Sequence, residues 1–155
     1  MIEGNGAPPP TAGSDPGDRA PAPGSLRLIQ ALVNTLNAET GRDLLGTAPE
    51  AARWLTAAGL LPAGSVVTGV QRAALAELRE ATRQVLSGHI ERREDPEAAS
   101  RLTMALAPSR LTLAVDPAGG VRLVSADHDP FSRVIGAVAA EIGRASCRER
   151  VSTIV

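Results

Sequence analysis

Residues 26–61, LRLIQALVNTLNAETGRDLLGTAPEAARWLTAAGLL, decide the fold of this chain, because they contain two amphipathic segments joined by a polar loop. Helical spacing of apolar residues predicts that each segment buries one face. Thr47 and Glu50 have the spacing of a capping box that starts the second helix, and Gly59 lies where that helix is expected to end. The predicted inner faces are Leu28, Ile29, Leu32, Val33 and Leu36, then Ala51, Trp54, Leu55 and Ala58.

The third helix is the longest, and its pattern predicts that it runs from Thr68 to about His89. Its charged residues alternate in sign, which is typical of a solvated surface. The predicted inner face is Val70, Ala74, Leu75, Leu78, Ala81, Thr82, Val85 and Leu86. The predicted outer face is Arg72, Glu77, Arg79, Glu80, Arg83 and Gln84.

Two more helices and a hairpin complete the predicted fold. Asp95-Pro96 and Asp129-Pro130 each combine a capping residue with a proline in the first turn. Between these helices, residues 110–125 alternate apolar and polar side chains around the turn DPAGG, which predicts an antiparallel hairpin resting on the helices. The fold class is therefore mainly helical α+β, with about five helices and one β-hairpin. The predicted inner face of the fourth helix is Leu102, Leu106 and either Met104 or Ala105. That of the fifth helix is Phe131, Val134, Ile135 and Val138.

Composition excludes several classes of function. The formal net charge of −1 gives no electrostatic basis for strong nucleic-acid binding. Trp54 and Phe131 are the only aromatic residues, so base stacking has almost no platform. No apolar run reaches the length of a membrane span, and the N-terminus does not have the pattern of a secretory signal. A cytoplasmic location is the expectation.

No arrangement of residues predicts catalysis or metal binding. His89 and His128 have no second ligand at metal-binding spacing, and Cys147 is the single cysteine. Asn34 and Trp54 are the candidate residues of an effector pocket. The alternatives are that Asn34 makes a structural hydrogen bond and that Trp54 anchors the core. The sequence alone does not choose between these roles.

The two ends of the chain differ from its body. Residues 1–24 are rich in proline and glycine and have almost nothing to bury, which predicts a disordered tail. Residues 142–151, IGRASCRERV, can be reverse-translated into a common short-read sequencing adapter. We therefore expect the genuine coding sequence to end near Glu141 and residues 142–155 to be non-native. On that expectation the basic cluster Arg144, Arg148 and Arg150 is not a nucleic-acid site.

Four segments of the body resemble one known family, the N-terminal ABATE domain of bacterial CGNR zinc-finger proteins, which are regarded as stress-induced transcription regulators. The resemblance covers residues 25–141 and rests on the order of LVNTL, GRDLL, the helix with Trp54 and Leu55, and the hairpin around DPAGG. These segments are residues 32–36, 41–45, 47–61 and 111–124.

The resemblance implies a regulatory domain rather than an enzyme. Its partners would be a small-molecule effector or a second copy in a homodimer. In the family a C-terminal finger with four cysteines, the last within Cys-Gly-Asn-Arg, is held to bind zinc and DNA. This sequence has no such cysteines, so the resemblance implies no cofactor in this chain and DNA contact only through the missing finger. A stand-alone association module is the alternative, followed by an enzyme of unrecognised type.

Overall fold

The computed structural model describes residues 26–152, with side chains as far as residue 145. It contains five helices and one two-stranded antiparallel sheet, which confirms the predicted mainly helical α+β class. The elements are α1 (Arg27–Val33), α2 (Ala48–Ala57), α3 (Gly69–Ile90), α4 (Pro96–Leu106), β1 (Leu111–Val115), β2 (Val121–Ser125) and α5 (Pro130–Ser152).

Side-chain caps fix where α3, α4 and α5 begin, as the sequence predicts. Thr68 and Gln71 form a complete capping box at α3, with reciprocal bonds of 3.1 and 2.9 Å between side chain and backbone. Asp95 and Asp129 each accept a hydrogen bond from the amide three residues on, at 2.9 and 2.8 Å. The helix starts are therefore set locally by four or five residues each.

The predicted start and stop of α2 are also confirmed. The Thr47 hydroxyl accepts a hydrogen bond from the Glu50 amide at 3.3 Å and donates one to the Glu50 carboxylate at 2.8 Å. At the other end, Gly59 has φ +71°, a left-handed conformation that glycine adopts at little cost. The Leu60 amide then bonds back to the Leu55 carbonyl at 2.9 Å and closes the helix.

The core lies between α3 and the elements around it. α3 packs against α1, α2 and α4, and α5 packs against α1, α4 and β2. The buried side chains in one cluster are Leu32, Leu45, Ala51, Leu55, Leu61, Val67, Leu75, Leu78, Ala81, Leu102, Val134, Ile135 and Val138.

The hairpin is attached to the body mainly through β2. Its register pairs Leu111 with Ser125 and Val115 with Val121, as predicted for a five-residue loop. Gly136 of α5 approaches so closely that a Cβ there would lie 2.6 Å from the Ser125 hydroxyl. This glycine lets α5 lie directly against β2, whereas β1 projects away with Leu113 and Val115 exposed.

The predicted inner faces of α2 and α3 and the predicted outer face of α3 need correction. Ala58, Val70, Ala74 and Leu86 were predicted to face the core but are exposed, Val70 to 82%. Val70 is in the first turn of α3, beyond the elements that cover the later turns. Arg79 was predicted to be solvated but is only 4% exposed, because the loop after α1 covers it. In α4, Ala105 packs on the core and Met104 is exposed.

The helix α5 continues across the boundary predicted at residue 141. Ile142 packs against the core cluster, and a Cβ on Gly143 would lie 3.2 Å from Leu123. The tail of residues 1–24 and the side chains of Cys147, Arg148 and Arg150 lie outside the described residues, so the boundary stays a prediction. None of the described helices is both long and apolar enough to cross a membrane.

Candidate functional site

A polar loop, defined here as residues 34–47, connects α1 to α2 and passes beside α3. Arg79 of α3 reaches into it and donates two hydrogen bonds to the Asp43 carboxylate, at 2.5 and 3.1 Å. It also donates to the Thr35 hydroxyl at 3.3 Å and to Glu80 at 2.9 Å. Thr35 is 1% exposed and bonds to the Leu32 carbonyl at 2.7 Å, so the network is closed on its inner side.

Two more arginines of α3 hold the backbone of the same loop. Arg83 donates to the carbonyls of Val33 and Leu36 at 2.7 and 3.2 Å. Arg72 donates to the Leu45 carbonyl at 3.3 Å. Residues 72, 79 and 83 fall on one side of α3 because seven and four positions are close to whole helical turns. We call these three residues the arginine clamp.

The charge of Arg79 is matched by the carboxylates of Asp43 and Glu80. Burial acts to raise the pKa of Asp43, but the bonds from Arg79 and from the Leu45 amide outweigh it and hold that pKa below its ordinary value. For Arg79, burial acts to lower the pKa, and the bonds to Asp43 and Glu80 outweigh it and raise that pKa. Both groups stay ionised at neutral pH, and the clamp is a structural device rather than an acid–base couple.

A separate groove runs along the solvent side of α2, and we call it the α2 groove. Its volume is about 640 Å³, within the range of small-molecule sites. One wall is α2 and the other is the segment that leads to α3. Val67 is buried and anchors that segment, and the Ser65 hydroxyl bonds to the Pro62 carbonyl at 2.7 Å. The lining residues are Ala48, Pro49, Ala52, Arg53, Thr56, Ala57, Ala63, Gly64, Ser65, Val66 and Val67.

The α2 groove combines an apolar surface with a single charged residue. Four alanines leave the groove open where larger side chains would fill it. Arg53 is the one ionisable side chain in the lining, and no carboxylate within residues 26–145 forms an ion pair with it. Thr56 and Ser65 add hydroxyl groups. This arrangement suits an apolar ligand that carries one anionic group.

Two other cavities are less suited to a ligand. One of about 230 Å³ lies between the Ser65 region and the start of α5, and it shares Ser65 and Val66 with the α2 groove. The other, of about 340 Å³, is polar and lies between α3 and α4. Its Arg101 is already bonded to Glu77 at 2.8 Å and to Gln84 at 2.7 Å. The polar cavity is lined by cationic and anionic side chains together, whereas the α2 groove has a single cation.

The two residues singled out from the sequence are not brought together in the α2 groove. Asn34 is exposed at the end of α1, and its side chain forms no hydrogen bond within the described part of the chain. Thr35 and Asn37 instead order the loop there, since the Asn37 side chain accepts bonds from two backbone amides. Trp54 is half-buried against the core, which is the anchoring role weighed for it. The effector pocket at Asn34 and Trp54 stays a prediction.

Sequence reasoning missed both Arg53 and the clamp. Arg53 looks like any solvent-facing charge on an amphipathic helix, and only the row of alanines around it signals an open groove.

His89 and His128 are both exposed. Among the described residues, no group of three His, Cys, Asp or Glu side chains is placed to hold a metal ion.

Comparison with known proteins gives a family match. The ABATE family model, described as "Putative stress-induced transcription regulator", matches residues 26–146, which is well over half of the chain. No curated protein and no solved structure matches the chain. The matched region contains the polar loop, the arginine clamp, the α2 groove and the hairpin.

Proposed function

This chain belongs to the ABATE family, and on that premise we propose that it is the effector-binding domain of a bacterial transcription regulator. The observation that supports this proposal is the α2 groove with Arg53. A groove of about 640 Å³ accommodates a small metabolite, and its apolar surface provides the binding energy. The ligand class is a small organic acid with an apolar body.

The arginine at the groove gives the proposed ligand its orientation. The carboxylate of the ligand would pair with the Arg53 guanidinium, whose planar donors match a carboxylate in two-point geometry. The apolar part would lie along Ala52 and Val67 towards Val66. Helical spacing places Trp54 on the other side of α2, so in this proposal Trp54 supports the groove from the core and does not contact the ligand.

In this proposal the described residues do not contact DNA. Zinc and DNA would be bound by the CGNR finger that the family resemblance implies, and this sequence contains no Cys-Gly-Asn-Arg motif. The residues present do not fit a zinc site, because the described side chains bring no three metal ligands together. The domain would act on the finger by binding its effector more tightly in one arrangement of the regulator than in another.

Ligand titration followed by amide NMR tests this function. Sodium dodecanoate and sodium 1-naphthoate are the acid probes, and 1-dodecanol and 1-naphthalenemethanol are their uncharged counterparts. We expect shifts confined to the amides of α2 and of residues 63–67, with tighter binding of the acids. Shifts elsewhere, or none with any probe, would refute the groove as the effector site.

A matched pair of variants isolates the charge. Arg53→Gln is expected to weaken acid binding by about 1 kcal/mol, or roughly fivefold, because the pair is solvent-exposed. It should leave binding of the alcohols unchanged. Arg42→Gln removes an exposed arginine outside the groove and serves as the control. Equal effects of the two substitutions on acid binding would mean that the attraction is general rather than local.

A further inference from the structure

The outer edge of β1 is open in the described part of the chain. The sheet has two strands, and β2 covers only one edge of β1. Natural proteins usually protect such an edge with lysine, proline, a bulge or an inward-pointing charge. β1 reads LTLAV and has none of these devices. Leu113 and Val115 are 65% and 67% exposed, so the edge is both unpaired and apolar.

The hydrogen-bond pattern of the hairpin shows which backbone groups face that edge. The Asp116 amide bonds to the Gly120 carbonyl, and the Ala126 amide bonds to the Arg110 carbonyl, each at 2.9 Å. In an antiparallel pair, bonded positions alternate with positions whose N–H and C=O point the other way. The even-numbered residues of β1 therefore bond to β2. The outward-facing residues are Leu111, Leu113 and Val115.

This pattern is self-complementary about Leu113. If two copies of β1 pair antiparallel around a two-fold axis at Leu113, residue 111 of each copy faces residue 115 of the other. All three outward-facing residues then pair with outward-facing residues, as a continuous ladder requires. On the apolar face, Leu113 of one copy contacts Leu113 of the other. The exposed Val115 of each copy lies beside Leu111 of the other.

The charged residues that flank the strand are also placed symmetrically about Leu113. Arg110 and Asp116 lie three residues before and after Leu113, so self-pairing places Arg110 of each copy opposite Asp116 of the other. No carboxylate among the described residues forms an ion pair with the Arg110 side chain. Asp116 accepts two amide bonds through one carboxylate oxygen, which leaves the second oxygen for a partner.

From the open edge, the alternation and the paired charges, we propose that this protein forms a two-fold symmetric homodimer through β1. The two hairpins join into one four-stranded antiparallel sheet, with both α5 helices on the same side of it. The interface is distinct from the α2 groove, so a test of the dimer does not depend on whether the groove binds an effector. Closed two-fold pairing would cover the β1 edge of both copies.

Sedimentation equilibrium of the full chain tests the dimer. We expect a concentration-dependent monomer–dimer equilibrium. Leu113→Lys places two like charges opposite each other at the axis and should raise the dissociation constant by at least about tenfold. Val70→Lys makes the same kind of change at an exposed valine on α3 and should have no effect. A strictly monomeric chain, or a dimer unaffected by Leu113→Lys, would overturn the proposal.

Charge reversal tests the predicted register. Arg110→Glu places a carboxylate at position 110 of each copy opposite Asp116 of the other and should weaken the dimer. Arg122→Glu makes the same charge change on β2, away from the axis, and should not. If both substitutions weaken the dimer equally, the proposed register is wrong.

Cross-linking tests the pairing directly and does not depend on affinity. In the proposed register Thr112 of one copy faces Ala114 of the other as a closely spaced, non-bonded pair. Thr112→Cys combined with Ala114→Cys, in a Cys147→Ser background, should give a disulfide-linked dimer on mild oxidation. Thr112→Cys alone should not, because the two Thr112 residues are offset along the strands. A dimer that persists without this cross-link would use another surface and would refute the β1 interface.

Discussion

The polar loop contains a buried polar side chain, whereas β1 contains exposed apolar side chains. The loop is polar, yet its Thr35 is 1% exposed and bonds to Arg79 of α3, which also bonds to Asp43. β1 is almost wholly apolar, yet Leu113 and Val115 are exposed. The difference lies in the neighbours, because α3 supplies donors to the loop whereas no described element covers the outer edge of β1. Composition alone therefore does not determine which segment is buried.

The largest effect is expected from removing Arg79, the cation that α3 places against the loop. Arg79→Ala removes the guanidinium that donates to Asp43 and Thr35 and should lower the free energy of unfolding by about 3 kcal/mol. Arg101→Ala breaks a more exposed ion pair with Glu77 and should cost less than about 1 kcal/mol. Urea unfolding measures both. If the two variants lose equal stability, the polar loop is not held by its buried charge.

The second effect concerns the attachment of the hairpin. Gly136→Ala in α5 places a methyl group against Ser125 and should destabilise the protein by about 2 kcal/mol, although alanine favours helices. Adding Ser125→Gly should recover part of that loss. Gly69→Ala meets no neighbouring atom within 4 Å and serves as the control. Unchanged thermal stability in Gly136→Ala would mean that α5 does not fix the position of β2.

The third effect compares two truncations of α5. Removing residues 142–155 deletes Ile142, which packs on the core, and should cost on the order of 1 to 2 kcal/mol. Removing residues 146–155 keeps that contact and should cost less. Thermal unfolding of the two shortened chains gives the comparison. Equal melting temperatures would support the boundary near Glu141 that the adapter-like sequence predicts.

The fourth effect is a pH dependence of stability through Asp43 of the polar loop. The pKa of Asp43 is lowered in the folded state, so its contribution is present above the ordinary carboxyl pKa and is lost as pH falls through the lowered value. Stability should therefore fall below about pH 4. Asp43→Asn should be less stable at neutral pH and should show a shallower acid dependence. Glu39→Gln, in an exposed part of the loop, controls for the loss of one negative charge.

The smallest effect is expected on the hairpin itself. Val115→Thr keeps the β-branched shape at an exposed position and should change the free energy of unfolding by less than about 0.5 kcal/mol at low protein concentration. Chemical denaturation at several concentrations measures it. A loss that grows with protein concentration would indicate that Val115 contributes through the dimer rather than within one copy.

The elements of this fold were predictable because their signals are local. Thr68 with Gln71, Asp95 and Asp129 each bond to an amide within three residues, so a short window of sequence contains the whole interaction. The hairpin loop is equally local, since Asp116 accepts bonds from Ala118 and Gly120. Helix starts, the hairpin register and the fold class follow from such windows.

The burial of Arg79 was not predictable in the same way. Its partners Asp43 and Thr35 are 36 and 44 residues away in the chain, and its own helix position is typical of a solvated arginine. The α2 groove has the same difficulty, because its second wall comes from residues after Gly59 whose path the helical pattern does not determine. Periodicity identifies the apolar face of a helix, but it does not show which polar residue another segment will cover.

The arginine clamp couples the local unfolding of the polar loop to the local unfolding of α3. Arg72 and Arg83 donate hydrogen bonds to backbone carbonyls of residues that flank or lie within the loop, and these bonds must break before the loop can open. Amide protons in this segment, such as that of Leu44 bonded to the Thr35 carbonyl, would then exchange with solvent as slowly as those of a central helix. A segment without regular secondary structure would belong to the slowest-exchanging cooperative unit of the protein.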